Sequence, residues 1–176
     1  MYSSTALSEM FSFLWSAFDV PQGTQVIFEG NPDSLNEKKI RVLAQEGHVN
    51  RLTIGLQTLD DKVQAIVRRF NKPLQVQSAV EASRKYGIPH VNIDLMVGLP
   101  GQTLTSFQKD LQFVVSLEPD SVHINPYRPL PQVLLRQNGI GFGAKDQKRR
   151  DEMLAWGSAY LTSHGHGSFV GHRQRK

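Results

Sequence analysis

Four segments of the sequence that are typical of buried β-strands each carry a polar side chain able to bind a ligand or transfer a proton. These side chains are Glu29, Gln57 and Asp94 on the first three strands, and His123 and Asn125 on the fourth. Because strand side chains alternate between the two faces of a sheet, each strand has one largely apolar face and one face that carries the polar group. Parallel strands are usually apolar on both faces, and a buried carboxylate without a partner is unfavourable. The pattern therefore predicts a polar lumen or cleft filled by a ligand. Glu29 and Gln57 fall at the carboxyl ends of their strands, where (β/α) barrels place ligand contacts.

Each polar residue also has an interpretation that involves no ligand. Any one of them is explained as a strand-end group whose hydrogen bonds are made by the local backbone. Asp94 lies in mid-strand, where an ion pair with Arg51, Arg68 or Arg69 would satisfy it. Arg69 follows a short predicted helix, so it either reaches over the mouth of a barrel or ends that helix in solvent.

The composition excludes several kinds of site. The sequence contains no cysteine, which rules out disulfides, thiolate zinc sites, cysteine nucleophiles and iron–sulfur clusters held by this chain. His164 and His166 have no carboxylate at a spacing that would complete a metal site, and no nucleophile-elbow motif is present.

With 20 Lys and Arg against 16 Asp and Glu, the net charge of +4 is weak support for a nucleic-acid partner. The basic segment 172–176 is expected to be a solvated terminus.

No apolar run is long enough to span a membrane, and the first residues lack the basic start of a secretory signal. We therefore expect a cytoplasmic protein without a membrane or nucleic-acid partner.

Strands and helices are predicted to alternate along the chain, which indicates an α/β fold. The predicted strands are 25–29, 51–57, 91–97 and 121–125, and the predicted helices lie within 5–18, 34–47, 60–67, 73–87, 103–119 and 145–163. Ser34 and Glu37 match a capping box at the start of the second helix. Alternation of this kind implies parallel strands with right-handed crossovers, in an open doubly wound sheet or in part of a (β/α) barrel.

A loop that contains two glycines, 98–103, joins the third strand to the next helix. Such a loop permits close approach of the backbone, and the helix N-terminus after it can hold an anion. A tight turn explains the same residues equally well. The loop is not a Walker motif because no Gly-Lys-Ser/Thr follows.

Three segments resemble motifs of the radical SAM family, in the branch of oxygen-independent coproporphyrinogen III oxidase and its heme-chaperone relatives. They run from Glu29 to Leu35, from Asn50 to Asp61 and from Asn92 to Thr103. The resemblance covers about residues 5–131 and continues more weakly to about 165. It implies a partial TIM-like (β/α) radical SAM barrel of about four parallel strands over 1–138. The remainder, 139–176, would comprise a loop, a carboxy-terminal helix and a disordered tail.

The resemblance also implies cofactors, a substrate class and a set of binding residues. The family uses S-adenosylmethionine and a [4Fe–4S] cluster to abstract hydrogen from a substrate, here a small tetrapyrrole. By resemblance, Glu29 contacts the methionyl group of S-adenosylmethionine, and Gln57, Arg69 and Asp94 also face this cofactor. Arg128 would contribute backbone near its adenosine. No catalytic residue and no metal ligand is assigned.

The sequence departs from the family in ways that affect its activity. The C-x3-C-x2-C loop that holds the cluster is missing, as is the glycine-rich stretch that supports the methionyl amine. We therefore expect a chain truncated at its amino end by about two strands and inactive as an oxidoreductase. His48 is expected to be a one-residue insertion before the second motif.

Two other functions remain open. The first is a non-catalytic heme-binding module, with His123 or the terminal histidines as iron ligands. The second is a phosphate-binding (β/α) enzyme, for which Glu29 and His123 are the candidate acid–base pair.

Overall fold

The computed structural model describes residues 2–128 and 144–166. The boundary between 138 and 139 and the segment 167–176, which includes His172, lie outside the described residues. The strands are β1 (Ile27–Gly30), β2 (Arg51–Gln57), β3 (His90–Val97) and β4 (Ser121–Pro126). The helices are α1 (Ser4–Ala17), α2 (Glu37–Gln45), α3 (Asp61–Val67), α4 (Pro73–Lys85), α5 (Leu104–Ser116) and α6 (Ala144–Ser163).

The four strands form one parallel sheet in the order β1-β2-β3-β4, as the alternation of elements predicted. In the parallel pairing of β1 with β2, Ile27 lies opposite Arg51 and Glu29 lies opposite Thr53. The predicted α/β class is confirmed.

The predicted difference between the two faces of the strands is also present. On β2, Leu52, Ile54 and Leu56 are fully buried, whereas Arg51, Gly55 and Gln57 on the other face are half-buried. On β3, Val91, Ile93, Leu95 and Val97 are buried, whereas His90, Asp94 and Met96 are half-buried. Each of these strands therefore has one apolar, buried side and one more polar side that is only partly accessible, since Thr53 and Asn92 on the polar sides are buried.

One local prediction was wrong. Helix α2 is capped by Asn36, whose side chain accepts a hydrogen bond from the Lys39 backbone N–H, so the predicted capping box at Ser34 is not formed. Ser34 instead ends a short 3₁₀ turn, Pro32–Ser34, which begins at Pro32 because the proline ring fixes the backbone angle φ there.

Helix α1 is only partly covered. Leu7 and Phe11 are buried, but the C-cap residue Phe18 is 61% exposed.

The chain forms two compact units. The first comprises Met1–Leu56, Asn71–Ile93 and Pro119–Ser121, and the second comprises Gln57–Phe70, Asp94–Glu118 and the chain from Val122 on. In the first unit, α2 packs against α1 and α4. Gly47 follows α2 where the ring of Phe11 leaves no room, because a Cβ at this position would lie 2.6 Å from ring carbons.

The second unit is built around α5 and α6, which pack against each other. Met153 of α6 and Phe107 of α5 are fully buried there. A Cβ on Gly157 would lie 2.7 Å from Ile124 Cδ1 of β4, so this glycine allows α6 to approach the strand closely. Among the described residues, no helix combines the length and apolar character needed to cross a membrane.

Candidate cofactor-binding site

Asp94 and His123 lie beside each other on the polar face of the second unit. Asp94 Oδ1 of β3 is 3.5 Å from His123 Nδ1 of β4, and the two side chains are 23% and 30% exposed. From the sequence we proposed an arginine as the ion-pair partner of Asp94 and did not propose His123 for that role. Because residues on neighbouring strands meet only in the correct register, a single sequence gives no direct signal for this pair. The pair places a carboxylate and an imidazole together on an accessible surface.

Gln57 ends β2 in a strained backbone conformation. Its φ of 69° lies in the left-handed region, which residues other than glycine seldom adopt. The residues on either side are held by buried hydrogen bonds, since Asn71 Nδ2 donates to the Leu56 carbonyl at 2.9 Å and Thr58 Oγ1 donates to Asp110 Oδ2 at 2.7 Å. Strain of this kind persists where the surroundings fix the backbone, and it is concentrated at functional sites. The half-buried side chain of Gln57 is therefore presented from a well-fixed point at the strand end.

Asp110 is the buried carboxylate that anchors this strand end. Only 4% of Asp110 is exposed, and Thr58, its hydrogen-bond donor, is fully buried. Burial raises the pKa of Asp110 to about 6, although the hydrogen bonds from Thr58 and from the Leu59 backbone act in the opposite direction. Reasoning from sequence missed this residue, because Asp110 and Thr58 are 52 positions apart.

The loop 98–103 is a tight turn closed by its own side chains. Gly98 and Gly101 have φ values of 79° and 78°. The fully buried Gln102 donates to the Met96 carbonyl at 2.9 Å and accepts from the Leu99 N–H at 3.2 Å. Thr103 caps α5 by accepting a hydrogen bond from the Ser106 N–H. These contacts account for the motif as a structural turn.

Arg150 of α6 lies against this turn. It packs so closely that a Cβ on Gly98 would be 3.0 Å from Arg150 Cδ, and Arg150 also donates to the Tyr127 carbonyl at 3.2 Å. The guanidinium thereby links α6 to the segment just before Arg128. Nothing in the local sequence of Arg150 indicated this role.

The remaining predicted site residues are distributed over both units. Arg69, in the second unit, is half-buried and follows Arg68, which ends α3 in the left-handed conformation. Arg128, also in the second unit, is exposed two residues after β4. Glu29, in the first unit, is exposed on β1. The structure thus places Asp94 next to His123. The other predicted site residues lie at strand ends or in loops and are exposed or half-buried.

The chain belongs to the radical SAM superfamily, whose family model matches residues 6–114. The fold agrees with this assignment. The described residues superpose on coproporphyrinogen III oxidase (HemN) from Escherichia coli with a TM-score of 0.81 and 28% sequence identity, over 93% of this chain and 38% of that chain.

Several curated proteins match the sequence, including the following two. One is the heme chaperone HemW of Bacillus subtilis, 37% identical over 99 residues, which are 56% of this chain and 25% of the relative. The other is the oxygen-independent coproporphyrinogen III oxidase of Helicobacter pylori, 32% identical over 133 residues, which are 75% of this chain and 29% of the relative. The chain therefore spans less than a third of the length of these two relatives.

The superfamily uses S-adenosylmethionine and a [4Fe–4S] cluster, and the two fit this chain differently. The cluster does not fit, because the sequence has no cysteine to supply thiolates. Among residues 2–128 and 144–166, no group of three His, Cys, Asp or Glu side chains could hold a metal ion. S-adenosylmethionine fits by the chemistry of the available groups, because the accessible carboxylate of Asp94 and guanidinium of Arg69 match the ammonium, hydroxyl and carboxylate groups of this cofactor.

The raised pKa of Asp110 predicts how stability depends on pH. Because the folded carboxyl has a pKa of about 6 against an ordinary 3.8, the folded state binds more protons between these pH values. The free energy of unfolding therefore falls as the pH rises from 4 to 7, by up to about 3 kcal/mol. Asp110→Asn removes this contribution, so the stability of the wild type relative to the variant should decrease over that range.

The measurement is urea denaturation of both proteins at intervals of half a pH unit. Asp33→Asn, at an exposed carboxylate, is the matched control and should run parallel to the wild type. Parallel curves for wild type and Asp110→Asn would show that burial does not perturb this carboxyl.

Proposed function

We propose that this chain binds S-adenosylmethionine and does not itself generate the radical for which the superfamily is known. The observation that carries the proposal is a radical SAM sheet with half-buried polar side chains on one face, in a sequence without a single cysteine. The cofactor supplies hydrogen abstraction only together with the cluster. Without thiolates, the residues present are able to bind the cofactor but not to start its chemistry.

The proposed contacts follow the chemistry of each side chain. Glu29 accepts hydrogen bonds from the methionyl ammonium group, and Arg69 forms a forked pair with the methionyl carboxylate. Gln57 and Asp94 also face the cofactor. The backbone at Arg128 lies near its adenosine. The strained, well-fixed conformation of Gln57 and the half-buried state of Asp94 support these two assignments in particular.

The proposed substrate class is a tetrapyrrole. It is supported by the names of the relatives, a heme chaperone and two coproporphyrinogen III oxidases. An oxidoreductase reaction on such a substrate would need a [4Fe–4S] cluster. The 176 residues of this chain contain no cysteine to hold one. We propose that the chain alone is inactive toward such a substrate.

Binding of S-adenosylmethionine is tested by isothermal titration of the chain as it exists, without iron. We expect saturable binding at one site. Asp94→Asn and Arg69→Ala should each weaken it about tenfold or more, because each removes a charge-assisted contact. Asp33→Asn, which changes an exposed carboxylate, is the control and should leave the affinity unchanged. Absence of saturable binding, or equal affinities in all variants, would contradict the proposal.

Heme binding is a second candidate, favoured by the pair formed by His123 and Asp94. In metal sites, a ligating histidine commonly presents its other ring nitrogen to a carboxylate, which orients the imidazole. His123 Nδ1 faces Asp94 at 3.5 Å in this way. The similarity to a heme chaperone supports the same candidate.

The heme candidate predicts a change in the Soret band when heme is added to the protein. His123→Ala should abolish the change, whereas His48→Asn, at an exposed histidine that is not a candidate ligand, should preserve it. An unchanged spectrum for the wild type, or an equal change in His123→Ala, would exclude His123 as the ligand.

A further inference from the structure

The first unit contains a cavity whose lining includes none of the residues proposed to contact the cofactor. It has a volume of about 520 Å³ and is lined by residues from the end of α1, from the segment 19–26 and from 48–50. Val26 and Asn50 immediately precede β1 and β2, so the cavity lies at the amino ends of these strands. Glu29, by contrast, lies toward the carboxyl end of β1. A volume of this size accommodates a small organic molecule.

The wall of this cavity is fixed by hydrogen bonds. Asn50 ties down the connecting segment, since its Oδ1 accepts from the Val26 N–H at 3.0 Å and its Nδ2 donates to the Thr24 carbonyl at 2.9 Å. The indole N–H of Trp15 donates to the Glu46 carbonyl at 2.7 Å, which holds the ring in one orientation. The cavity is therefore largely formed before any ligand enters.

Three rings line the cavity, those of Trp15, Phe18 and His48. The placement of Phe18 and of His48 is energetically unfavourable in the absence of a ligand. The ring of Trp15 lies 5.7 Å from that of His48 at an angle of 40°. His48 has a φ of 49°, in the left-handed region that residues other than glycine rarely occupy. Phe18 is 61% exposed beside them, although burying a phenylalanine side chain is normally favourable. An aromatic surface with exposed and strained members is typical of a binding site.

The charge of the lining indicates which ligands this surface would accept. Among the described residues that line it, Asp19 carries the one formal charge, and no lysine or arginine contributes. A phosphate or carboxylate ligand would find no cation there. A cation, in contrast, is attracted to the faces of aromatic rings and to the carboxylate of Asp19.

We propose that this cavity binds a small organic cation with an apolar body, such as a quaternary or protonated amine. The exposed Phe18 contacts the cation through a ring face, and Asp19 provides the opposite charge. The ring of Trp15, which is stacked on that of Phe11 at 6.0 Å, forms part of the wall. His48 and Asn50 complete the wall. This site is independent of the proposed binding of S-adenosylmethionine, because none of the residues assigned to that cofactor lines the cavity.

The test compares choline with 3,3-dimethylbutan-1-ol, which has the same shape but no charge. Binding is followed by NMR through the indole N–H signal of Trp15, with Trp156 of the second unit as an internal reference. Choline should shift the Trp15 signal saturably and bind at least about threefold more tightly than the alcohol, and the Trp156 signal should stay in place. Equal affinities for the two compounds, or no saturable shift, would overturn the proposal.

Variants separate the contributions of charge and ring. Asp19→Asn and Phe18→Leu should each weaken choline binding about threefold or more, and Phe18→Leu keeps an apolar side chain in case Phe18→Ala does not fold. Phe13→Ala is the matched control, since Phe13 lies on the same helix, is 67% exposed and does not line the cavity. Unchanged affinity in both Asp19→Asn and Phe18→Leu would contradict the assignment. Retained binding of S-adenosylmethionine in these variants would show that the two sites are separate.

Discussion

The rest of the structure depends on the requirement that a polar side chain on a parallel strand have either a partner or access to solvent. The apolar faces of β2 and β3 are fully buried, so polar groups are confined to the opposite face. There Asp94 is paired with His123 and is still 23% exposed. An unpaired, fully buried carboxylate would be strongly unfavourable. Among the residues that the structure describes, Asp110 is the one buried acid, and it is hydrogen-bonded and has a raised pKa.

The superfamily's activity needs both binding of S-adenosylmethionine and a cluster that starts radical formation, and this chain differs in the two respects. Side chains with carboxylate, amide and guanidinium groups remain on the polar face and next to it. Groups of these kinds are able to bind a cofactor that carries ammonium, carboxylate and hydroxyl groups. The thiolates that an iron–sulfur cluster needs are absent from the sequence. Binding and radical formation are therefore distinct properties here, and we propose that the chain retains only the first.

The sequence predicted well what depends on local patterns and poorly what depends on contacts between distant residues. The bounds of β2 were predicted correctly, because the alternation of side chains along a strand is a local pattern. The predicted cap of α2 was wrong because Ser34 and Asn36 are both good caps and the position of Pro32 selects Asn36. The pairs Asp94–His123 and Thr58–Asp110 depend on the strand register and the helix packing, for which a single sequence gives no direct signal.

The central claim, that the chain binds the cofactor but holds no cluster, is tested most directly by anaerobic reconstitution with iron and sulfide in the presence of S-adenosylmethionine. The account predicts no stable absorption of a four-iron cluster, no Mössbauer signal from one and no cleavage of the cofactor after addition of a reductant. A stable cluster with stoichiometric iron and sulfide, together with formation of 5′-deoxyadenosine, would contradict it.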